Sequence, residues 1–114
     1  MKYTVKFKPT LEKNNNDSVE VLYYIIKFDE AMKYGVECFV DFDFRKITQT
    51  EYELETNESD DILFFYNGIS LFEENGEFEF YCSSSMDDLL DKVSSGGVDS
   101  LNEFEKEALE KFSQ

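Results

Sequence analysis

The side chains in this chain that could do chemistry are almost all carboxylates. Of 114 residues, 26 are Asp or Glu and 11 are Lys or Arg, with no histidine, for a formal net charge of -15. The lack of histidine removes Ser-His-Asp and Cys-His arrangements, and with them the one side chain that titrates unperturbed near neutral pH. Carboxylates two apart, Asp41 with Asp43 and Glu77 with Glu79, are the remaining candidates for a divalent-cation site or an acid and base pair. Their context is unfavourable. Asp41-Phe42-Asp43-Phe44-Arg45 is bulky, extended in pattern and closed by a cation, whereas a calcium loop wants alternate acids around a glycine turn. Gly68, Gly76, Gly96 and Gly97 match no phosphate-binding pattern and read as turn glycines. The expectation is a protein with no metal and no cofactor, and a carboxylate enzyme is the least favoured reading.

The placement of the acids says more than their number. Residues 1 to 46 carry eight acids and eight bases, whereas Ile47 to Asp91 carries thirteen acids and no Lys or Arg. Carboxylates two apart on a strand stand roughly 6.5 to 7 Å from one another, within the screening length of about 8 Å at physiological salt, so this stretch opposes its own folding. Mixed signs would keep a protein in solution with less self-repulsion. A basic partner explains the single sign better, and such a field also excludes nucleic acid. Tyr52, Tyr66 and Tyr81, set among the acids, are of the residue type that anchors protein interfaces.

The elements that must position these groups follow from periodicity. The length fits one domain covering residues 1 to 114, and 41% hydrophobic with 17% aromatic residues supplies a core. Residues 3 to 8 alternate Tyr3, Val5, Phe7 with Thr4, Lys6, Lys8 and stop at Pro9, as in a first or edge strand. Asp17 stands three residues before Glu20 as a capping box for a helix running to Tyr34, with Val19, Leu22, Tyr23 and Ile26 as its stripe and Gly35 as its C′ residue. A strand over 19 to 28 is the alternative. Val36 to Arg45 alternates without a slip, placing Val36, Cys38, Val40, Phe42 and Phe44 on one face. Residues 50 to 56 put Glu51, Glu53 and Glu55 opposite Tyr52 and Leu54, suiting an edge.

From Asp61 to Ser83, Asn67-Gly68 and Asn75-Gly76 separate three apolar runs and predict two type I′ hairpins. Ser85 with Asp88 caps a short helix ending near Gly96-Gly97. Ser100 with Glu103 opens a last helix with Leu101, Phe104, Ala108, Leu109 and Phe112 on one stripe. The result is an α+β fold: an antiparallel sheet of five to six strands, built around a meander with two Asn-Gly hairpins, with two or three helices on one face. The uncovered face then carries carboxylates. Cys38 and Cys82 fall on the apolar parity of their strands and are expected to be buried, free thiols. No apolar run approaches about 18 residues, and the N-terminus lacks a signal-type core, so a cytoplasmic address with no membrane contact is expected.

In general profile the chain is similar to bacterial immunity proteins that neutralise nuclease or tRNase toxins, which are small, acidic, single-domain and without cofactor. That resemblance implies an inhibitor binding a basic toxin or nuclease 1:1 over its cationic site, with no direct contact to nucleic acid. The residues expected to meet the partner are Asp41, Asp43, Glu51, Tyr52, Glu53, Glu55, Asp60, Asp61, Glu73, Glu74, Glu77, Glu79 and Tyr81. The alternative is a phage or mobile-element protein that imitates DNA and occupies a nuclease or restriction complex.

Overall fold

The computed structural model describes residues 1–10, 18–39, 41–57 and 60–112. It is an α+β protein with one antiparallel sheet of four strands: β1 (Lys2–Pro9), β2 (Phe42–Thr48), β3 (Glu51–Thr56) and β4 (Gly76–Cys82). The helices are α1 (Ser18–Glu37), α2 (Ile62–Ile69), α3 (Met86–Gly96) and α4 (Glu103–Phe112), with short 3-10 segments at Ser70–Asn75 and Val98–Ser100. Strand order is β2-β3-β1-β4. The first strand is therefore central, not an edge, and β3, expected at an edge, is interior. Pro9 is tolerated because it closes β1, opposite Gly76 at the start of β4.

Alternation fixes which face is covered. Tyr3 lies opposite Leu54 and Cys82, Val5 opposite Tyr52 and Phe80, and Phe7 opposite Phe78. These residues form the core side, and the helices bury it. Phe28 and Met32 of α1, with Ile62, Phe65 and Ile69 of α2, Leu89 of α3 and Ala108 of α4, belong to the same cluster. Ring packing sets the detail: Phe7 meets Phe28 at 4.8 Å between centroids, and Phe42 meets Phe65 at 5.6 Å.

Several expectations need correction. The double hairpin does not form, because the chain is helical over Ile62–Ile69 and Ser70–Asn75. Ile62, Phe65 and Ile69 recur at helical spacing and are all buried, and that stripe against α1 outweighs the strand propensity of the run. Asn67-Gly68 sits inside α2, where Gly costs about 1 kcal/mol relative to Ala. Gly76 is needed for close approach, since a Cβ there would stand 2.2 Å from the Lys8 carbonyl oxygen.

The strand expected from Val36 starts only at Phe42, because α1 continues through Glu37. Cys38 consequently lies in the turn after α1 and is exposed, while Cys82 is buried as expected. Helix α1 exists, but its buried stripe is Phe28 and Met32 with half-buried Tyr24 and Ala31; Leu22, Tyr23 and Ile26 face solvent. Gly35 lies within α1, where a Cβ would come 2.7 Å from the Phe65 ring, so it marks the α1–α2 crossing. The Asp17 cap, the placement of Val40 and Glu58, and the side chain of Val19 lie outside the described residues.

The last helix is capped two residues later than expected, by Asn102 with Glu105 instead of Ser100 with Glu103. Asn102 Oδ1 accepts from the Glu105 N–H at 2.8 Å, and Glu105 Oε1 accepts from the Asn102 N–H at 2.9 Å. This is a reciprocal capping box. The Ser85 cap on α3 forms as expected, accepting from the Asp88 N–H at 3.2 Å.

Candidate protein interface

The uncovered face is not a plain sheet of carboxylates. Because β1 runs between β3 and β4, Lys2 lies opposite Glu55 and Lys6 opposite Glu51 on one side. On the other side Lys6 lies opposite Glu79 and Lys8 opposite Glu77. Arg45 of β2 lies opposite Glu53 and bonds it through Nη2 at 3.3 Å; Asp43 faces Glu55. The middle of this face is charge-compensated, as cross-strand pairs of opposite sign favour. Asp41 is exposed and closes a loop by accepting from the Asn57 N–H at 3.1 Å.

Tyr52 is not on this face. It is completely buried on the covered side, where its hydroxyl donates to Asp29 Oδ1 at 2.9 Å. Burial raises its pKa above the ordinary tyrosine value, and the Asp29 carboxylate adds to that. Partial burial pushes Asp29 upward, but the bonds from Lys33, Tyr52 and Lys46 together outweigh it and hold the carboxyl below its ordinary value. This cluster is structural.

Four of the expected residues come together along the β4 rim, where Glu77 and Glu79 lie opposite Lys8 and Lys6 of β1 and Glu73 and Glu74 precede the strand. Glu73 and Glu74 are exposed on the 3-10 segment that leads into β4, and Glu77 and Glu79 are exposed on the strand. Among the described residues none of these four has a cation within 4 Å. Tyr81 is half-buried on the same strand, with the Lys6 and Lys111 ammonium groups each 5.9 Å from its ring centroid. Asp60 and Asp61 stand apart, before α2, where negative charge favours the helix N-terminus.

Beside this rim runs a groove of about 450 Å³, with Tyr66, Glu73, Phe78 and Glu79 among its lining and Glu107 and Lys111 contributed by α4. Sequence reasoning missed the α4 contribution. The helical stripe Phe104–Ala108 implied that Glu107 and Lys111 flank a packed face, but not that the face lies beside β4. It also missed that large apolar side chains stand exposed on the helical segments, with Tyr34, Phe64 and Leu71 each 71% exposed. Among the described residues no group of three or more carboxylates and cysteines forms a metal-binding cluster, and no helix is long and apolar enough to cross a membrane.

Residues 83–114 match the model of a family described as a family of unknown function, DUF6576. The described part of that stretch is α3, the 3-10 turn and α4. It is joined to the sheet by Asn102 Nδ2, which donates to the Tyr3 hydroxyl at 2.8 Å, and by Ser84 Oγ, which accepts from the Lys2 N–H at 2.8 Å. No curated protein and no solved structure matches the chain.

Proposed function

We propose that this chain is a small inhibitor that binds a basic, nucleic-acid-acting toxin or nuclease 1:1 and occludes its cationic site, acting in the cytoplasm as an immunity-type protein. The observation that carries this reading is the β4 rim, where Glu73, Glu74, Glu77 and Glu79 stand exposed beside an aromatic groove; Lys8 and Lys6 lie opposite Glu77 and Glu79, but among the described residues no cation comes within 4 Å of the four. Like charges held together cost folding free energy, and a cationic partner relieves that cost. The same field raises the encounter rate with such a partner and repels nucleic acid. The row of lysines on β1 interrupts the continuous anionic surface that a DNA mimic requires, so the inhibitor reading is preferred to the mimic.

The test is cleavage of nucleic acid by a basic nuclease domain encoded beside this chain, titrated with the purified chain. The expected result is full suppression near one equivalent, with no shift of DNA or RNA by the chain alone. Binding of the chain to either nucleic acid, or suppression that added excess DNA reverses for unrelated nucleases as well, would overturn it.

A further inference from the structure

Strand β4 has a paired side and a free side. The Ser83 N–H donates to the Lys2 carbonyl at 2.9 Å and the Thr10 N–H to the Asn75 carbonyl at 3.1 Å, so the odd-numbered residues of β4 turn their backbone groups toward β1. The N–H and C=O groups of Phe78 and Phe80 therefore point away from the sheet, along the edge that the groove follows. The groove has an aromatic floor. Tyr66 lies 6.1 Å from Phe78 and 5.2 Å from Phe80 between ring centroids, and Phe104, outside the lining, backs Phe80 at 4.8 Å. Its walls are Glu73, Glu79 and Glu107, with Lys111 the one cation among its described lining residues.

An exposed strand edge beside a helix is a place where extended peptides are captured as an added strand, main-chain hydrogen bonds giving affinity and side-chain pockets giving selectivity. Seven residues at about 3.3 Å each give roughly 23 Å of edge, room for a segment of about six residues. The charges decide what fits. A second copy of this chain would set Glu77 and Glu79 against their own counterparts, and like charges directly opposite are destabilising. A cationic strand would instead meet Glu73, Glu79 and Glu107. The opposite edge of the sheet, β2, carries Arg45 and Lys46, whose charges are already paired with Glu53 and Asp29, and so offers a cationic strand no matching row of free acids.

We propose that the outer edge of β4 is a strand-addition site that takes an extended, lysine- or arginine-rich segment of the basic partner, hydrogen-bonded to the main chain of Phe78 and Phe80. This rests on the reading above in taking the partner to be basic, and it adds how that partner is held.

The test uses the full chain and a synthetic peptide of about eight residues alternating lysine and valine, long enough to span the edge. The peptide is expected to slow amide exchange at Phe78 and Phe80 by about tenfold or more. The same peptide with alternate backbone nitrogens methylated, which keeps its charge but removes its hydrogen-bonding edge, should lose that effect, and a glutamate–valine peptide should not bind. Equal binding of the methylated peptide, protection centred on Leu22, Ile26 and Phe64 of the helical layer, or no change at either amide with millimolar peptide would each overturn the proposal. The two readings also fail separately. Loss of nuclease inhibition with peptide capture intact removes the inhibitor function alone. Inhibition with Phe78 and Phe80 still exchanging freely in the inhibited complex removes strand addition alone.

Discussion

Glu105 is the residue whose removal should do most damage outside the aromatic core. Its side chain is fully buried, and its two oxygens accept from Lys92 Nζ at 2.8 and 3.0 Å while one also accepts from the Asn102 N–H. Asn102 in turn holds the Tyr3 hydroxyl. Glu105→Ala therefore takes from Lys92 the carboxylate that it bonds at both oxygens, and from the Asn102 N–H its Glu105 acceptor. Breaking a buried pair costs roughly 3 to 5 kcal/mol, and the Lys92 side chain, 23% exposed, regains some water, so about 3 kcal/mol is expected from that source. The lost cap adds about 1 kcal/mol.

A total near 4 kcal/mol is a large share of the roughly 5 to 15 kcal/mol that holds a domain of this size together. Glu105→Gln keeps an acceptor for the Asn102 N–H and should lose about half as much. Combining Glu105→Leu with Lys92→Met removes both charges and should recover much of the loss, as apolar replacement of both partners often does. Urea unfolding followed by circular dichroism measures all three, with the slope checking that the two-state description holds. A loss below about 1 kcal/mol for Glu105→Ala would refute the argument, since it would mean that this cluster does not hold α4 against the sheet.

Two further predictions concern titration and thiol chemistry. Burial raises Tyr3 and Tyr52 above the ordinary value of 10.0, so the stability they contribute is fully present below that pH and is lost as pH rises above it through their raised folded-state values. Two of the seven tyrosines should then ionise only together with loss of circular dichroism; seven that ionise as one class in the folded protein would contradict the burial. Cys38 should react with a thiol reagent within the native state and Cys82 only on unfolding, and equal rates would contradict their placement.

The alternating strands were legible because period two survives single-residue inspection. Tyr3, Val5, Phe7 and Tyr52, Leu54 face the core as their spacing implies. The carboxylates' positions were legible too, but their neighbours were not. No local feature says that β1 inserts between β3 and β4, and that non-local pairing is what sets Lys6 and Lys8 against Glu79 and Glu77. Residues 61 to 75 misled because the short unbroken apolar run from Ile62 to Tyr66 fits both periodicities at once. Asn-Gly tipped the choice toward hairpins, whereas Gly76 answers a steric demand from Lys8 that exists only in the folded protein. The α1 stripe failed for a similar reason. That helix is apolar on two sides, and only the position of the sheet selects Phe28 and Met32 over Leu22 and Ile26.

The central claim is that an acidic rim recruits a cationic protein. The measurement that tests it most directly is the association rate with the basic nuclease domain as a function of ionic strength, for the parent chain and for a variant carrying Glu73→Gln, Glu77→Gln and Glu79→Gln. The parent rate is expected to fall steeply with salt, by about tenfold or more as the screening length drops from roughly 30 to 3 Å, and the variant to associate more slowly and with a shallower slope. Rates that are indifferent to salt, or a variant indistinguishable from the parent, would contradict it.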